Sequence, residues 1–293
     1  MTTHQPAVDV RGLRKRYGPV TAVDGIDLTV THGEVFGILG PNGAGKSTTV
    51  EILQGHRTRD GGEVSVLGAD PATADRAWRA RVGIVWQDES APAELTVRET
   101  VSHFARYYPR PRRPQDVLDL VGLQEKADSR IKALSGGQRR RLDVALGIIG
   151  DPSLLLLDEP TTGFDPAARR QFWDVIQALA DEGTTVVLTT HYLEEAEELA
   201  DRLAVIARGR VVAEGDPAAL RREYGSEAVV EWTEPGSGPR ELRTTTPTRT
   251  VAELMSRFDG EIPGLRISRP SLEDVYLRLT GQDDGPKSEE DER

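Results

Sequence analysis

The stretch Gly40-Pro41-Asn42-Gly43-Ala44-Gly45-Lys46-Ser47-Thr48 decides the fold of this 293-residue chain. It satisfies the pattern G-x-x-x-x-G-K-[ST] at every fixed position. The apolar run Val35-Phe36-Gly37-Ile38-Leu39 before it reads as a buried strand, and Ser47 to Gln54 after it reads as a helix. Strand, loop and helix in that order make a phosphate-binding loop. The glycines let the backbone approach an anion and turn successive N–H groups inward, while the helix start adds partial positive charge. Lys46 is then placed to reach β- and γ-phosphates, and the Ser47 hydroxyl to hold a Mg²⁺ that bridges them. A nucleoside triphosphate site is implied. Kinases, GTPases, helicases and transport motors all use such a loop, so the choice among them falls to the rest of the chain.

Outward from the loop, Val8 to Leu13, Ile26 to Val30 and Glu63 to Leu67 alternate as antiparallel strands do, with turn signals at Thr31-His32-Gly33 and Gly61-Gly62. From Val82 onward, short buried strands at Val82 to Trp86, Ser153 to Leu157, Thr185 to Thr189 and Leu203 to Ala207 are separated by helical stretches, which predicts a mostly parallel core sheet. Thr96 to Tyr107 and Gln115 to Val121 have helical apolar spacing, broken by Pro109, Pro111 and Pro114 into a separate helical piece. After Asp216-Pro217 the pattern changes again. Helix-like Ala218 to Tyr224, strand-like Ala228 to Thr233, a Pro/Gly-rich turn, a further strand, helix-like Val251 to Phe258 and Ser271 to Leu279 predict a compact α+β tail domain. The fold class expected is therefore α/β: a phosphate-loop NTPase core with an antiparallel β layer and a helical subdomain at about 88–145, then a small α+β C-terminal domain. The expected boundaries are 1–217 for the nucleotide-binding domain, 218–281 for the accessory domain and 282–293 for an acidic disordered tail.

Composition narrows the chemistry. The absence of cysteine excludes disulfides, thiolate zinc sites and cysteine nucleophiles, and five scattered histidines argue against a histidine-built metal site. The net charge is −11, and Asp283 to Arg293 contributes six acids against two bases, a poor balance for nucleic-acid binding. No apolar run approaches eighteen residues and no basic-then-apolar leader opens the chain, so it is expected to be made and kept in the cytoplasm.

Two further segments carry chemistry. Leu154-Leu155-Leu156-Leu157-Asp158-Glu159-Pro160 reads as a buried strand ending in two carboxylates. Alternation along a strand sends Asp158 and Glu159 to opposite sides and gives them separate roles. Asp158 suits a Mg²⁺ holder acting through water, and Glu159 a general base on the attacking water. Leu134-Ser135-Gly136-Gly137-Gln138 opens a helix and forms a second anion-binding end, with the Ser135 hydroxyl and backbone N–H groups as donors. One phosphate site in one subunit does not need two such ends. A head-to-tail dimer resolves this: Ser135, Gly136, Gly137 and Gln138 of one chain close over the γ-phosphate held by the other.

With these residues in this order, the chain resembles the ATP-binding subunit of an ABC transporter, and the motifs span that domain from end to end, over residues 6 to 217. The resemblance implies an ATP hydrolase with ATP and Mg²⁺ at its site, working as a dimer, a homodimer by expectation, on the cytoplasmic face of the membrane, with a membrane-spanning permease and no nucleic acid. It assigns Tyr17 to adenine stacking, Gln87 to Mg²⁺ and the attacking water, His191 to the γ-phosphate and Asp165 to the link between the two subunits' sites. Thr162 and Phe164 stand where the family more often has Ser and Leu. No catalytic position is degenerate, so a homodimer has two competent sites. The ending Ser271-Leu272-Glu273-Asp274-Val275-Tyr276-Leu277-Arg278-Leu279-Thr280 is similar to the close of the accessory domain in the drug-resistance, daunorubicin-exporter-like group of bacterial ABC ATPases. That implies export of a drug or other hydrophobic small molecule. The rival readings are a soluble ABC ATPase acting on a ribosome or on DNA, disfavoured by the single core and the lack of a long coiled coil, and a regulatory module without turnover, disfavoured by Glu159.

Overall fold

The computed structural model describes residues 5–86, 94–225, 227–258, 260–269 and 271–281. Two compact units emerge, Met1–Glu214 and Gly215–Arg293. In the first, β1 (Val8–Tyr17), β2 (Val20–Val30) and β3 (Val35–Leu39) lead through the phosphate loop into α1 (Lys46–Leu53). Then follow β4 (Gly61–Val66), α2 (Arg76–Arg79), β5 (Val82–Val85), α3 (Val97–Ala105), α4 (Pro114–Leu120) and α5 (Gly136–Ile148). The remainder is β6 (Leu154–Asp158), α6 (Pro166–Asp181), β7 (Thr185–Thr190), α7 (Leu193–Leu199), β8 (Arg202–Ala207) and β9 (Arg210–Gly215).

The strands sort into a three-stranded sheet, β2-β1-β4, and a six-stranded sheet, β5-β6-β7-β3-β8-β9. Pairing is antiparallel in the first and parallel across β5, β6, β7, β3 and β8 in the second. β3, β6 and β7 are buried at every residue, as strands covered on both faces must be. Alternation along β6 divides the interior into two cores. Leu155 and Leu157 join Val101, Leu142, Phe172 and Ile176 on the helical side, while Leu154 and Leu156 join Val10, Ile26, Phe36 and Val50 on the side of the antiparallel sheet. The sheet thereby aims the carboxyl ends of β3, β6 and β7 at one place.

The antiparallel strands run further than apolar alternation indicates. β1 continues through Arg14-Lys15-Arg16-Tyr17 and β2 begins at Val20, because there the register is set by charge: Arg14 lies opposite Asp24 and pairs with it at 2.7 Å. The helical piece between β5 and β6 starts at α3 with a capping box, Thr96 accepting from the Glu99 amide and Glu99 from the Thr96 amide. The short α2 and the edge strand β9 leave no apolar pattern of their own in the sequence.

The second unit holds α8 (Pro217–Tyr224), β10 (Ala228–Glu234), β11 (Gly238–Thr244), α9 (Pro247–Met255), β12 (Arg266–Ser268) and α10 (Leu272–Thr280). Its antiparallel sheet has the order β11-β10-β12 around Val230, Trp232, Leu254 and Ile262. β12, exposed at all three residues, is the element of this unit that sequence reading does not find. α10 is closed at both ends, by a Ser271–Asp274 capping box and by Gly281 in the left-handed conformation. The acidic segment 282–293 lies outside the described residues.

Candidate functional site

The carboxyl end of β3 delivers the chain into the loop at Gly40. A Cβ there would sit 2.3 Å from the Ile206 carbonyl oxygen, so only glycine lets the loop pass β8. Gly45 has φ +106°, and a Cβ on it would meet the Ala22 carbonyl at 2.4 Å. Gly45 is also the N-cap of α1 and offers no side-chain acceptor to the first turn. The leading amides of α1 are therefore left to an external anion. Lys46 is buried, and its ammonium donates to the carbonyls of Gly40 at 2.7 Å and Pro41 at 3.3 Å, holding Pro41, Asn42, Gly43 and Ala44 in a closed ring. The rest of the first turn, Ser47 and Thr48, follows from it.

Both carboxylates at the end of β6 face this loop. Asp158 accepts from the Ser47 hydroxyl at 3.2 Å and from the Thr189 hydroxyl on β7. Strand alternation alone would turn Glu159 to the other face. Instead Glu159 leaves the strand with φ +45°, and its carboxylate lies 3.5 Å from the Lys46 ammonium. The expectation that Asp158 and Glu159 point to opposite sides is thus corrected: they touch consecutive residues of α1. Their separation arises from a left-handed residue, an uncommon conformation outside glycine that is held by its surroundings. Here the Glu159 amide donates to the Thr189 hydroxyl at 3.0 Å and to the Thr189 carbonyl at 3.2 Å.

His191 follows β7 directly, and its Nδ1 stands 3.3 Å from Glu159 Oε2 in a close approach without hydrogen-bond alignment. Its ring lies against Tyr192 with centroids 4.1 Å apart. Lys46, Ser47, Asp158, Glu159 and His191 are thus brought together by three parallel strands. Asp165 caps α6, accepting from the Ala168 amide at 2.8 Å, and nearby Phe164 packs edge-on against buried Phe172 at 5.9 Å between centroids. Tyr17 ends β1 half exposed, with the Lys15 ammonium and the Arg57 guanidinium 5.6 and 5.3 Å from its ring centre. Gln87 lies outside the described residues; Trp86 before it packs edge-on to His56.

Ser135, Gly136, Gly137 and Gln138 form the start of α5. Ser135 Oγ accepts from the Gln138 amide at 3.3 Å and Gln138 Oε1 from the Ser135 amide at 3.0 Å. Among the described residues no hydrogen bond or ion pair joins this group to residues 40–48 of the same chain.

Sequence reading missed two residues that organise the site. Thr189 serves both carboxylate positions with one hydroxyl, and a threonine in an apolar strand carries no signal of that. Arg140, buried on α5, donates to the carbonyls of Asp158 at 3.2 Å, Pro160 at 3.0 Å and Trp86. It ties the helix behind Ser135 to both the carboxylate strand and the segment before Gln87. The run Arg139-Arg140-Arg141 gives no hint of which arginine is buried.

Comparison with known proteins agrees with this geometry. Residues 23–162 match the family model described as ABC transporter. The Daunorubicin/doxorubicin resistance ATP-binding protein DrrA of Streptomyces peucetius is 40% identical, with 97% of this chain and 96% of that protein covered. This chain belongs to the ABC transporter ATP-binding family. Nod factor export ATP-binding protein I of Ralstonia nicotianae is 42% identical over 95% of both chains, and that of Rhizobium sp. (strain N33) 40% over 94% and 98%. Among solved structures, an ATP-binding subunit of an ABC transporter superposes with a TM-score of 0.68 at 26% identity, covering 75% of this chain and 93% of that one. A dimeric ATP-binding cassette in a post-hydrolysis state with ADP and Pi gives 0.64 at 25%, covering 71% and 98%. The chain is accordingly an ATP-binding, ATP-hydrolysing subunit that powers transport through a separate permease. Among the described residues no helix is long and apolar enough to cross a membrane.

Proposed function

We propose that this subunit drives export of a hydrophobic small molecule, as a dimer on the cytoplasmic face of the membrane, with two ATP sites shared between its subunits. The observation that carries the reading is the meeting of Lys46, Ser47, Asp158, Glu159 and His191 at one sheet end. A phosphate chain in the loop competes with Glu159 for the Lys46 ammonium. Glu159 is then left beside His191, free to orient a water and take its proton, while His191 donates to the transferring phosphoryl group. Tyr17 would offer its ring to adenine, and Asp165 would link the two subunits' sites.

The donors fit Mg²⁺. Ser47 and Asp158 present hard oxygens 3.2 Å apart at the end of the loop, a donor pair suited to an ion bound jointly by one carboxylate and substrate phosphates. Ser47, Asp158 and Gln87 would hold it, and bound there it would neutralise charge developing on the phosphoryl oxygens.

Ser135 to Gln138 would complete the γ-phosphate face from the other subunit. The permease would engage the region from Gln87 to Tyr108, beside a cleft of about 790 Å³ lined by Arg76, Arg79, Arg106, Tyr107, Tyr108 and Pro109. The export direction and substrate class rest on the relatives named for Nod factor export and daunorubicin resistance. Purification from membranes is expected to recover a multi-span permease with which the pair moves a hydrophobic compound outward in vesicles under ATP; recovery of ribosomes without a permease would overturn the reading.

A further inference from the structure

Glu195, on the first turn of α7, is fully buried, and the reaction as described does not use it. Its Oε1 accepts from the Trp173 indole N–H of α6 at 3.3 Å. Its Oε2 has no hydrogen-bond partner, and neither has the equally buried hydroxyl of Thr161, in the segment between Glu159 and Asp165. The hydroxyls of Thr161 and Thr190 are both near enough to bear on the carboxyl. Thr190 immediately precedes His191, and its own hydroxyl accepts from the Tyr192 amide at 2.9 Å. Four segments therefore converge on one side chain: the loop after β6, α6, the loop carrying His191, and α7.

We propose that Glu195 is a positioning residue that latches the His191 loop to the Thr161–Asp165 segment, so that His191 moves with the subunit interface. The inference rests on the assignment of His191 to the γ-phosphate and adds what holds that histidine in place. An ionised carboxylate would be unfavourable here, because burial raises the Glu195 carboxyl above its ordinary value, and the neighbouring Thr190 and Thr161 hydroxyls, the Trp173 indole N–H and the charge of Arg169 offset only part of that. Among the described residues Arg169 is the charge that bears on it. That guanidinium is also engaged 3.6 Å from Glu194 and 4.4 Å from the centre of the Tyr192 ring. A neutral Glu195 has one O–H to donate, and the unpaired Thr161 oxygen is the acceptor that the site provides.

The latch predicts that shape and hydrogen bonding matter and that charge does not. Glu195→Met fills the volume without polar atoms, and Glu195→Gln restores a neutral donor and acceptor. In full-length protein, Glu195→Met is expected to lower kcat for ATP hydrolysis about tenfold with KM for ATP within about threefold, and Glu195→Gln to return kcat to within about twofold of wild type.

A second readout is thermodynamic. Folded Glu195 keeps its proton above the ordinary value of 4.5, where the unfolded chain releases it, so wild type loses stability as pH rises from there through the folded value. Glu195→Gln has no such loss, and its stability relative to wild type should climb as pH rises above the ordinary value of 4.5. Wild-type kcat in Glu195→Met, or a Gln variant as impaired as the Met variant, overturns the latch. Should the Met variant not fold, a flat stability difference between Gln variant and wild type overturns it instead. His191→Ala with full turnover would refute the underlying assignment; impaired His191→Ala beside a fully active Glu195→Met would refute the latch alone.

Discussion

Helices α1 and α5 both begin on glycine-rich segments, yet their first turns are satisfied in different ways. Gly45 leaves α1 without a side-chain cap, and Lys46 folds back onto the loop to shape a ring of amides. At α5 the Ser135 and Gln138 side chains satisfy one another's amides in a closed capping box. The first helix gains bonds when a phosphate arrives. The second must exchange bonds it already has, so its net gain is small. An ATP site built from one of each, as proposed above, would bind nucleotide firmly in one subunit and join the second subunit weakly enough for hydrolysis to release it.

The largest expected effect tests the division between holding and hydrolysing ATP. Glu159→Gln should keep ATP affinity and lower kcat about 10²- to 10⁴-fold, with an ATP-bound dimer accumulating in size-exclusion chromatography; undiminished turnover would remove Glu159 from the base role. Next, Lys46→Ala opens the ring at α1 and should weaken ATP binding about 100-fold in calorimetry. If affinity survives, α1 is not the holding half.

Ser135→Ala removes the cap of α5, with an expected loss of about 1 kcal/mol of stability and about tenfold in hydrolysis. ATP affinity of the dilute monomer should stay within about twofold, and a drop matching that of Lys46→Ala would erase the contrast between the two helices. The smallest effect is expected at Tyr17→Ala, about fivefold in ATP affinity, since one half-exposed ring stacks on a base with about 1 kcal/mol. Inorganic triphosphate binding should be unchanged in that variant.

The two helices also differ in how legible they are. For α1, loop, strand and helix are readable because glycine, lysine and serine are placed at fixed spacing by local backbone geometry. The same holds for Ser135 to Gln138, whose capping box spans four residues. Legibility ends where a residue's role depends on a partner far along the chain. Thr189 and Arg140 contact the ends of β6 from 31 and 18 residues away, and Glu195 joins Trp173 across 22. Glu195 in particular stands in an acid-rich run, Glu194-Glu195-Ala196-Glu197-Glu198, that reads as a solvated helix face. Burial of one of those four acids is set by packing against α6.

By itself the sequence determined the loop, the capped start of α5, the longer strands and helices of both units and the nucleotide class, because each rests on short-range geometry: turn conformations, caps and two-residue alternation. Tertiary structure decided that Glu159 turns back through a left-handed residue to share the loop with Asp158, that Thr189 serves both carboxylate positions, and that Glu195 is buried. The first two outcomes follow from which strands lie side by side in the parallel sheet, and the third from the packing of α7 against α6. Parallel neighbours such as β6 and β7 pair only through a crossover, so their contacts have no local trace in the chain.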